Sequence, residues 1–149
     1  MPVYHCSIPE ARLDDARRER IAREITRIHC EKTGAPPAFA HVLFADAADG
    51  AAVVGSIRAG RSAALRAEMA DAIAAAVADA AGLAPVRVTL LEVPAAWVME
   101  GGSVMPEPGE EAAWLARHGG GAQNVPVYTA QERHTAGGSS DASAPRKAR

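Results

Sequence analysis

Pro2 is the first residue of the chain that could do chemistry. Removal of Met1, which a small second residue permits, would leave Pro2 with a free secondary amine at the N-terminus. Such an amine is nucleophilic, and burial or neighbouring charge can move its pKa. Proline is also common at position two without any role. The strand that we predict from Val3 to Ile8 would place the amine in a sheet, which favours a functional reading.

A pair of arginines stands directly before a predicted helix, in the segment Arg58-Ala59-Gly60-Arg61-Ser62. Guanidinium groups bind carboxylates through two parallel hydrogen bonds, and helix N-termini favour anions. We therefore interpret Arg58 and Arg61 as a candidate site for a substrate carboxylate. The alternative is that both are solvated loop charges.

Two further side chains are candidates for acid–base or hydrogen-bonding roles. His29 lies one helical turn after Ile25, on or beside the apolar face of the first predicted helix. It is either a core or interface histidine or a hydrogen-bond donor to a substrate oxygen. Glu100 stands between apolar residues and a glycine pair, where a carboxyl group can act as a general base. The alternative interpretation is that Glu100 is a loop glutamate that faces solvent.

The elements that must position these residues form two similar halves. Capping residues and apolar spacing predict one helix over about 15–33, ended by Gly34, and a second over about 62–81, ended by Gly82. Strands are predicted over 3–8, 38–45 and 86–93. At an offset of 48 positions the two halves coincide: Ile21 falls on Met69, Ile25 on Ile73, Gly34 on Gly82 and Pro37 on Pro85.

This repeat predicts an α/β fold made of two β-α-β units, at about 2–50 and 51–100. The strands of both units would pair in one four-stranded mixed sheet with the two helices on one face, each crossover being right-handed. A short C-terminal element, a turn-rich link and a helix over about 110–117, completes a domain over 2–118. Residues 119–149 are rich in Gly, Ser and Ala, and we expect a flexible tail.

The overall composition is that of a globular domain, with 48% hydrophobic and 23% charged residues. A net charge of -2 gives no reason to expect nucleic acid or an anionic membrane as partner. We also expect no signal peptide, no membrane span, no metal site and no cofactor. The two cysteines are not arranged as a C-x-x-C pair, so a cytoplasmic protein with free thiols is the expectation.

Taken together, these residues resemble the tautomerase superfamily, and most closely the group around cis-3-chloroacrylic acid dehalogenase. The resemblance covers about residues 2–116. It rests on Pro2 before a strand, His29 late in the first helix, Arg58-x-Gly-Arg61 before the second helix and Glu100 after the fourth strand. Matching stretches are Pro2-Val3-Tyr4, Glu24-Ile25-Thr26, Gly60-Arg61-Ser62, Glu92-Val93-Pro94, and Met105-Pro106-Glu107-Pro108-Gly109 with Trp114.

The resemblance implies a homotrimer of tandem β-α-β subunits that uses neither cofactor nor metal. By resemblance, Pro2 transfers the proton, Arg58 and Arg61 bind the substrate carboxylate with help from His29, and Glu100 activates water. Thr89 and Trp97 are candidates for the pocket wall. The dehalogenases have a tyrosine at the position of Thr89, which partners the glutamate in activating water. The segment between the second strand and Arg58 is also shorter here than in those enzymes.

Three functions follow as hypotheses. The first is a cofactor-independent tautomerase acting on a small 2-oxo, enol or unsaturated carboxylic acid, because the loss of the tyrosine favours proton transfer over addition of water. The second is a dehalogenase or hydratase of the cis-3-chloroacrylic acid dehalogenase type, with Glu100 alone activating water. The third is a non-catalytic trimeric binding protein that retains the fold.

Overall fold

The computed structural model describes residues 2–118, and the tail expected at 119–149 lies outside this part of the chain. The main elements are three helices and six strands: β1 (Val3–Ser7), α1 (Asp15–Thr33), β2 (His41–Ala45), β3 (Ala51–Arg58), α2 (Ala63–Ala81), β4 (Val86–Val93), β5 (Met99–Glu100), β6 (Ser103–Val104) and α3 (Glu111–His118). Short 3₁₀ turns stand at Glu10–Arg12, Pro37–Phe39 and Ala95–Trp97.

Both long helices have a capping residue at each end. The side chain of Asp14 accepts a hydrogen bond from the N–H of Arg17 at the start of α1, and Ser62 accepts one from Leu65 at the start of α2. Gly34 and Gly82 end the two helices at φ values of 71° and 64°. This left-handed conformation favours glycine because it has no Cβ. The predicted helix boundaries are confirmed.

The four long strands form one mixed sheet in the order β2-β1-β3-β4. β1 pairs with β2 and β3 with β4 in parallel, as expected within two β-α-β units. The central pair, β1 with β3, is antiparallel and joins the two units, with Val3 opposite Ser56 and Ser7 opposite Ala52. The predicted fold class is confirmed.

The main core lies between α1, α2 and one face of this sheet. Ile21 and Ile25 of α1 and Ile73 and Val77 of α2 are fully buried there. Gly55 of β3 gives this core room for an aromatic ring. A Cβ at that position would lie 2.6 Å from Cε1 of Tyr4, closer than packed atoms can approach.

The other face of the sheet carries no helix and is partly apolar. Leu43, Val54 and Leu91 alternate with inward-facing neighbours on three strands, and between 38% and 49% of each residue is exposed. Val54 and Leu91 lie on adjacent strands, and His5 of β1 stands between Val54 and Leu43. Exposed aliphatic side chains on one sheet face are typical of an interaction surface. We call this helix-free side the outer face.

The C-terminal part packs separately from the main core. The N–H of Trp114 Nε1 in α3 donates to the carbonyl of Val104, 2.7 Å away, and its ring packs against Phe39 and Met105. The short helix and the turn-rich link before it are therefore confirmed. The hairpin of β5 and β6 was not predicted, because two-residue strands have too little alternation to be recognised.

The predicted start of the second strand is wrong. The strand begins at His41 instead of Ala38, because Pro37 opens a 3₁₀ turn that runs to Phe39. Proline suits the first position of such a turn, where its missing N–H is not needed. Within residues 2–118, no helix is long and apolar enough to cross a membrane.

Candidate functional site

The sheet itself brings the start of β1 to the end of β3. Because these strands run antiparallel with Val3 opposite Ser56, Pro2 lies at the level of Ile57 and Arg58. Pro2 is buried, and its carbonyl accepts a hydrogen bond from the N–H of His41 at 3.0 Å. The N-terminal segment is therefore fixed between β2 and β3, at the sheet edge from which the segment to Arg61 departs.

His29 is held at this edge by a buried hydrogen bond. Tyr4 lies on β1 two residues after Pro2, and its hydroxyl lies 2.7 Å from Nδ1 of His29. Tyr4 is fully buried and His29 is 3% exposed. If the un-ionised hydroxyl donates to Nδ1, the proton of a neutral imidazole resides on Nε2. Nε2–H is then available as a donor.

The imidazole of His29 is neutral at ordinary pH. Burial, followed by nearby positive charges that include Arg61 and Arg58, lowers its pKa from 6.5 to about 4. Burial also raises the pKa of Tyr4, so its hydroxyl stays protonated. The charges of both Arg58 and Arg61 therefore reach the imidazole of His29.

Arg61 is only partly satisfied by the protein. Nη1 donates to the carbonyl of Thr33 at 3.4 Å, whereas the buried Nε has no hydrogen-bond partner among residues 2–118. Burial and the charge of Arg58 lower the pKa of Arg61. An arginine donor that is buried without a partner is costly, and an anionic ligand would satisfy it.

Arg58, by contrast, is hydrogen-bonded within the chain through both terminal nitrogens of its guanidinium. Its Nη1 donates to the carbonyl of Pro106 at 2.7 Å, and its Nη2 is paired with the carboxylate of Glu111 at the start of α3. Only 4% of the Arg58 side chain and 10% of that of Glu111 are exposed. The two arginines predicted to bind a carboxylate together are therefore in different states.

Glu100 has a carboxylate oxygen that lacks a partner. It lies on β5 opposite Ser103, and its buried Oε2 makes no hydrogen bond within the described chain. The side chain can therefore accept a hydrogen bond from a water or ligand. No hydrogen bond connects it to Tyr4, His29 or Arg61 in the part of the chain that the structure describes.

The two candidate wall residues lie on the surface of the single chain. Thr89 is on the outer face of β4, and Trp97 is 80% exposed at the end of a 3₁₀ turn. Neither encloses a pocket within one chain. They can line one only where another surface covers them.

The described chain offers no ready place for a metal ion. Between residues 2 and 118, no three His, Cys, Asp or Glu side chains come close enough together to hold one. A cavity of about 210 Å³ lies at the far end of β1 and is bordered by Ile8, Leu13 and Phe44 among others. Because β1 separates this cavity from Pro2, it does not belong to the candidate site.

Two residues of this region were not identified as functional from the sequence. Tyr4 could have been found, because a strand tyrosine on the buried face needs a hydrogen-bond partner for its hydroxyl. Glu111 could not, since it lies 53 positions from Arg58 and nothing in the predicted helix over 110–117 indicates that partner.

A similar solved structure identifies the family to which the chain belongs. The crystal structure of N1, a member of the cis-3-chloroacrylic acid dehalogenase (cis-CaaD) family, matches with a TM-score of 0.69 and 31% identity, covering 76% of this chain and 90% of that chain. The chain belongs to the cis-3-chloroacrylic acid dehalogenase family. It is thereby a member of the tautomerase superfamily of enzymes. Scans against protein-family models and curated proteins found no match.

Two more distant structures share the fold of this cis-CaaD family member. The symmetric trimer of wild-type fused 4-OT matches with a TM-score of 0.63 and 20% identity, covering 69% of this chain and 94% of that chain. Pt0534 inactivated by 2-oxo-3-pentynoate matches with a TM-score of 0.60 and 17% identity, covering 76% and 97%. At these identities the likeness concerns the fold.

The neutral state of His29 predicts a pH dependence of stability. The unfolded chain binds more protons between pH 6.5 and about 4, so folding weakens as the pH falls through this window. We expect the free energy of unfolding of the wild type to fall by about 3 kcal/mol more than that of His29→Asn over this range. Urea unfolding at several pH values measures this difference.

The control for that experiment is His118→Gln, at the exposed end of α3. This variant should retain the pH dependence of the wild type. Equal slopes for the wild type and His29→Asn would contradict the assignment of His29 as a buried neutral imidazole.

Proposed function

We propose that the protein is a cofactor-independent tautomerase in which the amine of Pro2 transfers a proton on a small 2-oxo, enol or unsaturated carboxylic acid. The observation that carries this proposal is the convergence of the buried start of β1, a neutral His29 and the unpartnered Nε of Arg61 at one sheet edge. Family membership supports it, since it makes the chain an enzyme of the tautomerase superfamily.

Each residue has a role that its environment supports. Arg61 binds the substrate carboxylate, while Arg58 beside it is held by Glu111 and the carbonyl of Pro106. His29 donates from Nε2 to a carbonyl or carboxylate oxygen, because its Nδ1 faces the hydroxyl of Tyr4. Pro2 takes a proton from the enol oxygen and returns it to the carbon, forming the C–H bond as the O–H bond breaks. Enol and ketone differ only by this proton, so no redox group is needed.

The charge balance around Pro2 favours a base. The positive charge of Arg61, which no salt bridge compensates in the described chain, favours an uncharged amine, since protonation would add a further like charge. A carboxylate of Glu100 close to the amine would instead stabilise the protonated amine. A neutral amine at neutral pH can accept the enol proton, as a general base must.

The proposal includes assembly as a homotrimer. The apolar outer face, with Leu43, Val54 and Leu91, is suited to contact another copy of the sheet. The matching fused 4-OT structure is described as a symmetric trimer. In such an assembly the exposed Thr89 and Trp97 would be covered by a neighbouring subunit and could wall the site, as expected from the sequence.

A Pro2→Ala variant tests the central role of the ring amine. Alanine leaves a primary amine at the same place, and we expect the rate of phenylenolpyruvate ketonisation to fall by about 100-fold or more. The change is followed by ultraviolet absorbance of the enol. Intact mass spectrometry of both proteins establishes that Met1 has been removed, since an acylated Pro2 nitrogen has no basicity.

The matched control is Pro9→Ala, in the loop after β1, which should keep the wild-type rate. A Pro2→Ala variant that is as active as the wild type would contradict the proposal. An inactive wild type with Met1 removed would favour the third hypothesis, a trimeric binding protein.

A second candidate is a hydrolytic dehalogenase or hydratase, which family membership and the unpartnered Oε2 of Glu100 favour. In this reaction Glu100 takes a proton from water, the water oxygen bonds to the β-carbon, and protonated Pro2 delivers a proton to the α-carbon. For a chlorinated acid, the adduct carries hydroxyl and chlorine on the same carbon, and it then loses chloride together with the hydroxyl proton to leave a carbonyl group. Thr89 offers no phenol to assist the glutamate.

Chloride release from cis-3-chloroacrylate separates the two candidates. Because Thr89 stands in place of the tyrosine, we expect the wild type to release no chloride above a protein-free control while it ketonises an enol. Ion chromatography of the reaction measures this. Chloride release by the wild type that is lost in Glu100→Gln would establish the second candidate.

A further inference from the structure

Glu111 holds the guanidinium of Arg58 in an internal ion pair. One carboxylate oxygen, Oε1, accepts from Nη2 of Arg58, and Oε2 accepts from the N–H of Gly109 at 2.8 Å. Nη1 of Arg58 donates a hydrogen bond to the carbonyl of Pro106. The first residue of α3 thus supplies Arg58 with a counter-charge, and the link before α3 supplies a neutral acceptor.

The carboxylate of Glu111 remains ionised in this position. Burial alone would raise its pKa, but the hydrogen bond from Arg58 and those from the backbone lower it overall. The pair is therefore charged and internally neutral. Because both side chains are almost fully buried, neither partner can be exchanged for water without leaving the other charge uncompensated.

Arg61 differs because its Nε has no partner within residues 2–118. Of the two guanidinium groups at this edge, only that of Arg61 thus combines an open donor with a positive charge that no salt bridge compensates in the described chain. A ligand carboxylate gains more by meeting this group than by competing with Glu111 for Arg58.

We propose that Glu111 is a specificity-determining residue, because its pairing with Arg58 leaves Arg61 as the guanidinium that receives the substrate carboxylate. This inference rests on the proposed function and refines its substrate class. A site with one uncompensated guanidinium accepts one carboxylate, whereas a second carboxylate would be buried without a cation and is disfavoured. Acids with a single carboxylate should bind better than dicarboxylic acids of the same length.

Binding of two four-carbon acids tests this without any need for turnover. Crotonate carries one carboxylate and fumarate two, on the same trans-alkene frame. We expect isothermal titration calorimetry to show crotonate binding to the wild type about tenfold more tightly than fumarate. In Glu111→Gln, where Arg58 has lost its counter-charge, the preference should shrink by about tenfold or reverse.

The matched control is Glu111→Asp, which keeps the charge and should keep the preference for crotonate. Circular dichroism and thermal unfolding establish that each variant is folded. An unchanged preference in a folded Glu111→Gln would overturn the inference. Equal affinity of the wild type for both acids, or no binding of either acid, would also overturn the inference. These two results come from the wild type alone and do not depend on the folding of Glu111→Gln.

The same titrations with Pro2→Ala separate this inference from the proposed function. Because carboxylate binding does not need the proline ring, the preference for crotonate should persist in that variant. If Pro2→Ala retains wild-type catalytic activity, the proposed function fails while the role of Glu111 stands. If Pro2→Ala is inactive but binds both acids equally, the inference about Glu111 fails.

Discussion

The antiparallel pairing of β1 with β3 is the constraint on which the rest of the molecule depends. It is the one strand contact between the two β-α-β units in the described chain, and it turns two similar halves into a single sheet. Because the strands run in opposite directions, the first residue of the domain meets the end of the first strand of the second unit. Pro2 is thereby placed beside the segment that carries Arg58 and Arg61, without a dedicated loop.

Burial determines how the charges at this edge behave. His29 is forced into its neutral form by burial and by the positive charges of Arg61 and Arg58, so it can offer a hydrogen bond but not a charge. Arg58 is compensated by Glu111, while Arg61 keeps a donor without a partner. An edge with one uncompensated guanidinium and one neutral donor is suited to a small anion. The proposed proton transfer by Pro2 relies on this arrangement.

Local chemistry made much of the fold predictable. Asp14, Ser62, Gly34 and Gly82 mark helix ends by capping and by backbone conformation, which depend on a few neighbouring residues. The hairpin of β5 and β6 was not predictable, and the start of β2 was misplaced by the 3₁₀ turn at Pro37. These elements are short, and their positions depend on packing against Phe39 and Trp114 instead of on periodicity.

The candidate site was predictable to a different extent. Pro2, His29, Arg58 and Arg61 were predicted from residue type and order, and their roles in a site remain predictions. The pairing of β1 with β3 places Pro2 level with the end of β3. The pairing of Arg58 with Glu111 depends on a contact between residues 53 positions apart, which no local pattern specifies. The environment of Thr89 and Trp97 depends on surfaces outside a single chain. The boundaries of the domain and of its two units remain predictions.

The central claim is that the amine of Pro2 is the reactive group of the site. Covalent labelling by 2-oxo-3-pentynoate is its most direct test. A neutral amine can add to the electrophilic alkyne of this 2-oxo acid, forming an N–C bond while its proton passes to carbon. Peptide mapping by mass spectrometry should find one adduct per chain, on Pro2, and far slower labelling in Arg61→Ala. Cys30 is a less reactive competitor because burial raises its thiol pKa. Labelling at Cys30 with Pro2 unmodified, or no labelling of a chain whose Met1 has been removed, would contradict the account.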